Sequence, residues 1–447
     1  MLHDPPSRAP EDRPADYFHI RTQWLQYRSQ LFDHGTGLPT LPAIFDDVRR
    51  AVEERGALLL VYVDLSRENH IEEIWGWQVY DAMIREFTEA LKKVKQALLP
   101  PDTAMALLNV RGDEFVVAVY PPDRRAKPLS LRSEMERLAD EFTSVLAYEV
   151  SRFPGESAGR RLHLATGHAF IQADPMQRLE RMLYRAIGEA RQHFERKVEV
   201  EESAMKAVLR KIIKDRSVRT LFQPIVYLED GGILGYEALT RGPGSGHFKD
   251  SESLFGFADK TNLGLDLDRV CRECAVMAAS ANGSTRLFLN TSARAITDPG
   301  FIDESFVKLI EDRGIEFSRI VFEITERVKI EEWEVFRKIV SELRAHRFSI
   351  AIDDMGSGYS SLQSIAELEP EFLKFDMSLV HDIDRSLIKQ DLLKVLLTIS
   401  DKLGAPIIAE GVETAEESEV LKRLGVKLAQ GNFFAEPGSI GMPIKGF

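Results

Sequence analysis

The chain has 447 residues, 44% hydrophobic and 29% charged, which suits a globular protein with room for two or three domains. Its 71 acidic against 58 basic residues give a formal charge of −13, which excludes broad binding to a nucleic acid polymer or to anionic lipid, since both need a basic surface. Two cysteines exclude a disulfide framework and point to a reducing, cytoplasmic setting.

In chain order, residues 1–20 are rich in Pro and charge and lack the apolar stretch of a signal peptide, so they read as a disordered tail. No apolar run approaches the length of a membrane span. A short helix is expected over 17–33, a Gly/Pro turn over 34–42, and a buried strand over 57–65. A helix follows over 77–98, then strand, tight turn and strand over 103–121, a helix over 132–150, a strand over 161–171 and a helix over 175–197. Residues 21–197 therefore read as an α/β domain with an N-terminal helix, and 198–218 as a charged linker helix.

From residue 219 to 447 the rhythm changes. Apolar strands end repeatedly in a polar residue, and helical segments follow. The polar residues are Glu237, Asn290, Glu323, Asp353 with Asp354, Lys374 with Asp376, Glu410 and Gln430, with successive groups 20 to 53 residues apart. Repeated β/α units over this length predict a TIM-type (β/α)8 barrel, whose site lies at the C-terminal ends of the strands. Each residue alone has a plainer explanation. Asp353-Asp354 before Gly could make a turn, Glu323-Ile-Thr-Glu326 a capping box, and Asn290 a helix cap. Their common place at strand ends predicts one cluster instead.

Most of that cluster are oxygen donors, and none is His or Cys. The set suits hard cations such as Mg²⁺ or Mn²⁺ rather than zinc or copper. Five carboxylates in one apolar-walled mouth need positive charge, and two divalent ions nearly match them. At a strand end the chain can bend, so that neighbouring Asp353 and Asp354 both face the mouth. Two close metals serve in-line displacement at phosphorus. Lys374 is then expected near the attacking water or the phosphoryl oxygen, and Arg241 near a phosphate. Cys271 and Cys274 form a C-x-x-C inside an amphipathic helix, where packing is the expected role.

The stretches "YEALTRGP", "LFLNTS", "VFEITER", "IAIDDMGSGYSSL", "FLKFDMSLV", "IIAEGVET" and "AQGNFFAEP" together resemble the EAL domain of bacterial cyclic di-GMP phosphodiesterases. The resemblance implies a modified TIM barrel that hydrolyses cyclic di-GMP to linear pGpG with two Mg²⁺ or Mn²⁺ ions. It implies Glu237, Asn290, Glu323 and Asp353 as ligands of one ion, and Asp353, Asp354 and Glu410 as ligands of the other. Glu237, Lys374 and Glu410 would be catalytic, with Lys374 beside the water. Arg241, Gln430 and Asp376 would meet the substrate, and Glu326 and Glu413 would hold the loop next to the metals. Met355 and Ser357 stand where the family commonly has Phe and Thr.

The N-terminal domain resembles a damaged GGDEF (diguanylate cyclase) domain, through "FDHGTGLPT", "LLVYVDLSRENHIEEIWGWQVYD" and "NVRGDEFVV". Asp64 matches a metal aspartate, and Gly112, Asp113 and Glu114 match the signature. Arg111 replaces the first signature glycine, and Glu72 and Glu73 replace a guanine-reading Asn-Asp pair. The resemblance thus implies a cyclase-dead domain that regulates the barrel or dimerises it. GTP is the ligand such a domain would hold, an expectation these replacements weaken. The competing reading of the whole chain is a cyclic di-GMP receptor that binds without hydrolysis.

Overall fold

The computed structural model describes residues 31–65, 72, 76–109, 112–121, 128–153, 164–244, 246–279, 284–325, 333–355, 365 and 367–446. The tail at 1–20, most of the helix expected over 17–33, and Glu73, Arg111, Glu326 and Ser357 lie outside the described residues. The chain divides into two compact units, residues 1–203 and 204–447.

The first unit is built on a four-stranded antiparallel sheet of β1 (Ala57–Asp64), β2 (Ala104–Leu107), β3 (Glu114–Val119) and β4 (Thr166–Gln172), in the order β2-β3-β1-β4. β1 is buried on both faces, which explains its unbroken apolar run "ALLLVYV". Leu59, Val61 and Val63 pack with Phe87, Leu91 and Phe142, from the helices Trp77–Leu98 and Pro128–Val150. Leu58, Leu60 and Tyr62 face the other way, toward Val48 and Val52 of the helix Phe45–Arg55 and toward Leu183 and Phe194. The alternation is the two-residue period of a strand.

Leu183 and Phe194 belong to one helix, Leu179–Asp215. It runs without a break through the segments read above as a domain helix and a separate linker. No glycine or proline stands between residues 189 and 215 to interrupt it. Its last turns are not a bare spacer, because Leu209 and Ile212 pack with Val218, Phe248, Leu254, Leu267 and Cys271 in the second unit.

The second unit is a closed eight-stranded barrel. It comprises β5 (Arg219–Tyr227), β6 (Ile233–Arg241), β7 (Arg286–Thr291), β8 (Ile320–Thr325), β9 (Ser349–Met355), β10 (Phe372–Phe375), β11 (Ile407–Ala409) and β12 (Leu428–Ala429). β5 is antiparallel to both of its neighbours, β6 and β12, and the other pairs are parallel. The β/α rhythm starting at β6 does not reveal β5, because β5 turns directly into β6 as a hairpin and no helix follows it. Two helices, Ser251–Lys260 and Gly264–Ala278, fill the long step between β6 and β7. Inside the barrel, Ile225, Phe288, Val321, Ala351, Phe372, Ile408 and Leu428 close the floor beneath the polar mouth.

Candidate active site

Six strands of the barrel carry the polar cluster. Glu237 sits within β6, paired in register with Gln223 of β5 and Phe288 of β7. Asn290 of β7 lies opposite Glu323 of β8. Asp353 and Asp354 are near the end of β9, Lys374 is on β10, and Glu410 directly follows β11. The neighbouring aspartates are reconciled by backbone: Asp354 takes φ +59°, a left-handed conformation that aspartate tolerates better than most residues. One carboxylate oxygen from each of Asp353, Asp354 and Glu410 lies within 4.8 Å of the others.

At the centre is Lys374, 1% exposed. Its Nζ is 2.6 Å from Glu410 Oε1, 2.8 Å from Glu323 Oε1, and 3.3 Å from both Glu237 Oε2 and Asp353 Oδ1. Burial disfavours its charge, but the surrounding carboxylates outweigh burial and hold the ammonium well above the ordinary lysine value. Burial raises the Glu323 and Glu410 carboxyls well above the usual range, and the neighbouring carboxylates add to this against the pull of Lys374. Glu237 goes the other way. Burial raises it, but Lys374 and hydrogen bonds from Asn290 and Gln430 bring it below the ordinary value. Those bonds are Asn290 Nδ2 to Glu237 Oε1 at 2.7 Å and Gln430 Nε2 to Glu237 Oε2 at 2.6 Å.

The donor set fits hard divalent cations: carboxylates with one amide, and no soft ligand. Glu323 is fully buried, and its Oε2 has no hydrogen-bond partner among the described residues. A buried carboxylate oxygen left so is costly unless positive charge meets it.

The expected residues do not all join this cluster equally. Arg241 ends β6 and lines a cavity of about 550 Å³ together with Glu237, Asn290, Asp268, Cys271 and Thr291; its Nη1 donates to Thr240 O. Asp376 is buried and caps the short helix Met377–Val380 through Ser378 N at 2.9 Å. Glu413 is half exposed at the side chain, 3.7 Å from His381 Nε2. Glu326 falls outside the described residues. Gln223 was missed in the sequence: its Oε1 accepts from Gln430 Nε2 at 2.9 Å, and its Nε2 donates to Ala435 O at 3.1 Å. Its signal was its register opposite Glu237, which is invisible until β5 is recognised. Cys271 and Cys274 are free and buried, and burial pushes the Cys271 thiol up to about 12.

In the first unit, Asp64 and Glu114 are opposite each other across β1 and β3. Glu114 accepts from Arg191 Nη2 at 2.6 Å, and Asp64 from the Tyr62 hydroxyl at 3.2 Å. Asp113 is fully buried and accepts from Tyr80 and Asn109, while Gly112 takes φ +76° in the turn before it.

The family model for the EAL domain matches residues 205–437. The chain belongs to the EAL domain family. The EAL domain thus begins within the helix Leu179–Asp215 and takes in the whole barrel. Similar curated proteins extend over more of the chain. The Pseudomonas aeruginosa bifunctional diguanylate cyclase/cyclic di-GMP phosphodiesterase MucR is 24% identical over 424 residues, 91% of this chain and 60% of its own. The cyclic di-GMP phosphodiesterase NbdA of the same organism is 26% identical over 434 residues, 91% of this chain and 52% of its own. The chain therefore spans between half and three-fifths of these relatives. Among solved structures, the EAL domain of Xanthomonas citri FimX in complex with c-diGMP superposes with a TM-score of 0.51 at 21% identity, covering 55% of this chain and 97% of that one, and so supports the fold.

Proposed function

We propose that the EAL domain of this chain hydrolyses cyclic di-GMP to linear pGpG, using two Mg²⁺ or Mn²⁺ ions. The observation that carries this reading is the gathering of Glu237, Glu323, Asp353 and Glu410 around Lys374, with Asn290 on Glu237 and Asp354 beside Asp353 and Glu410. The names of MucR and NbdA, both cyclic di-GMP phosphodiesterases, support the substrate.

Glu237, Asn290, Glu323 and Asp353 would hold one ion, and Asp353, Asp354 and Glu410 the other, with Asp353 shared. When bound, the ions supply positive charge that eases formation of a hydroxide nucleophile and departure of the ribose oxygen. Lys374 lies among these carboxylates, where its ammonium would donate to the attacking water or the phosphoryl oxygen. Asn290 and Gln430 fix the orientation of the Glu237 carboxylate from both sides. Arg241, at the rim, pairs with a substrate phosphate, and Asp376 and Gln430 border the substrate.

The first unit is read as a cyclase-dead GGDEF-like domain that regulates or dimerises the barrel. Glu114 is engaged by Arg191, and Asp113 serves Tyr80 and Asn109 in the interior, which supports a structural use of the signature acids. A homodimer of the chain is part of this reading. Chromatography of nucleotides after incubation with cyclic di-GMP and Mg²⁺ or Mn²⁺ tests the enzyme. Linear pGpG is expected; intact nucleotide retained on the protein would favour the receptor instead.

A further inference from the structure

Two loops bring the lower half of the cluster together. One follows β10 and carries Asp376 through Asp382; the other follows β11 and carries Glu410 through Thr414. Near the barrel they touch directly. Glu410 N donates to Phe375 O at 3.0 Å, and Gly411, at φ +67°, lies so close that an added Cβ would stand 2.5 Å from Met377 Cβ. Further out, the loops are joined by a residue that neither the motifs nor the resemblance singles out.

Glu417 is 3% exposed. Its Oε2 accepts from Glu413 N at 2.9 Å and Thr414 N at 3.1 Å, which completes the capping box of the helix Ala415–Leu424. Its Oε1 leaves that helix altogether and accepts from Asp382 N at 3.0 Å, in the other loop. Asp382 takes φ +55°. His381 Nδ1 stands 3.6 Å from the same oxygen. Burial raises the Glu417 carboxyl, but three backbone N–H groups and His381 outweigh it and hold the group below the ordinary value. Glu413, by contrast, is half exposed and meets His381.

We propose that Glu417 is a positioning residue: its carboxylate clamps the Glu410 loop to the loop that follows Lys374 and Asp376, and so fixes Glu410 relative to Lys374. A helix cap needs one oxygen of this carboxylate; the second oxygen is what makes it a clamp. The consequence for turnover rests on the hydrolase reading above.

Glu417→Gln separates the two roles. Glutamine has one accepting oxygen; at the cap it meets two backbone N–H groups and toward Asp382 only one, so it stays with the cap and its amide nitrogen cannot accept from Asp382 N. Thr414→Ala is the converse control, weakening the cap while leaving the Asp382 contact. In the full chain, amide hydrogen exchange over residues 376–386 is expected to accelerate in Glu417→Gln and not in Thr414→Ala. With cyclic di-GMP and Mn²⁺, kcat is expected to fall roughly tenfold in Glu417→Gln, the usual cost of losing a residue that orients metal-site ligands. KM should move by less than about twofold, and Thr414→Ala should keep the wild-type kcat. Unchanged exchange in Glu417→Gln would remove the clamp. Accelerated exchange with unchanged kcat would remove the positioning role. A wild type without turnover would refute the hydrolase reading alone, because exchange still decides the clamp.

Discussion

With carboxylates from four strands or strand ends within 3.3 Å of its ammonium, Lys374 is the charge that lets Glu237, Glu323, Asp353 and Glu410 share one apolar mouth. Replacing it with methionine keeps the volume but removes the cation that the four carboxyl groups surround. Lys374→Met should therefore destabilise the chelator-treated protein by about 3–5 kcal/mol, the scale for breaking a buried ion pair. Mn²⁺ should restore much of that loss by binding the folded state only. Calorimetric melting with and without Mn²⁺ checks both; a variant as stable as wild type in chelator would mean that the ammonium is not what holds the carboxyl groups together. The cysteines give a simpler residue-scale test. Both are buried, with thiols raised by burial, so neither should react quickly with a disulfide reagent in the native protein, and both should react after denaturation. A fast-reacting native thiol would contradict the packing role. Among single residues, Glu237, Asn290, Glu323 and Lys374 were legible in the sequence because each interrupts an apolar strand. Glu417 was not, since Thr414-x-x-Glu417 reads fully as a helix cap and nothing local reveals its second oxygen's partner 35 residues away.

At the scale of elements, the site depends on how strand ends meet. Gly411 is one such point. A Cβ there meets Met377, and its left-handed backbone costs alanine roughly 1–2 kcal/mol. Gly411→Ala should push Glu410 away from Lys374 and lower turnover far more than it lowers the melting temperature. Wild-type kcat in this variant would show that the two loops have slack. The β/α succession from β6 to β11 could be read from sequence, since each of these strands is followed by a helical pattern. β5 could not, because an antiparallel hairpin strand breaks the rhythm on which the reading relied. Gln223 was lost with it. The change in composition at residue 198 suggests two helices where there is one, Leu179–Asp215, because no glycine or proline between residues 189 and 215 interrupts it.

For the whole molecule, the two units have separate cores, divided at residue 203. Leu209 and Ile212 pack into the second unit, so the helix end belongs with the barrel. Residues 204–447 should then fold cooperatively on their own and retain cyclic di-GMP hydrolysis, checked by thermal melting and nucleotide chromatography. Failure of this piece to fold would mean that the first unit completes the barrel's stability. Turnover that differs between the piece and the full chain would measure the regulation assigned to the first unit. Among the described residues no helix is long and apolar enough to cross a membrane.

The most direct test of the account is the rate of cyclic di-GMP hydrolysis as a function of Mn²⁺ concentration, measured side by side for the full chain and for Glu237→Ala. The account predicts linear pGpG from the wild type, abolished by chelation and restored by Mn²⁺. For the variant it predicts a rate lower by about a thousandfold or more, as expected when an ion that stabilises transition-state charge is misplaced. Near-wild-type turnover in Glu237→Ala, or wild-type turnover indifferent to chelation, would contradict it.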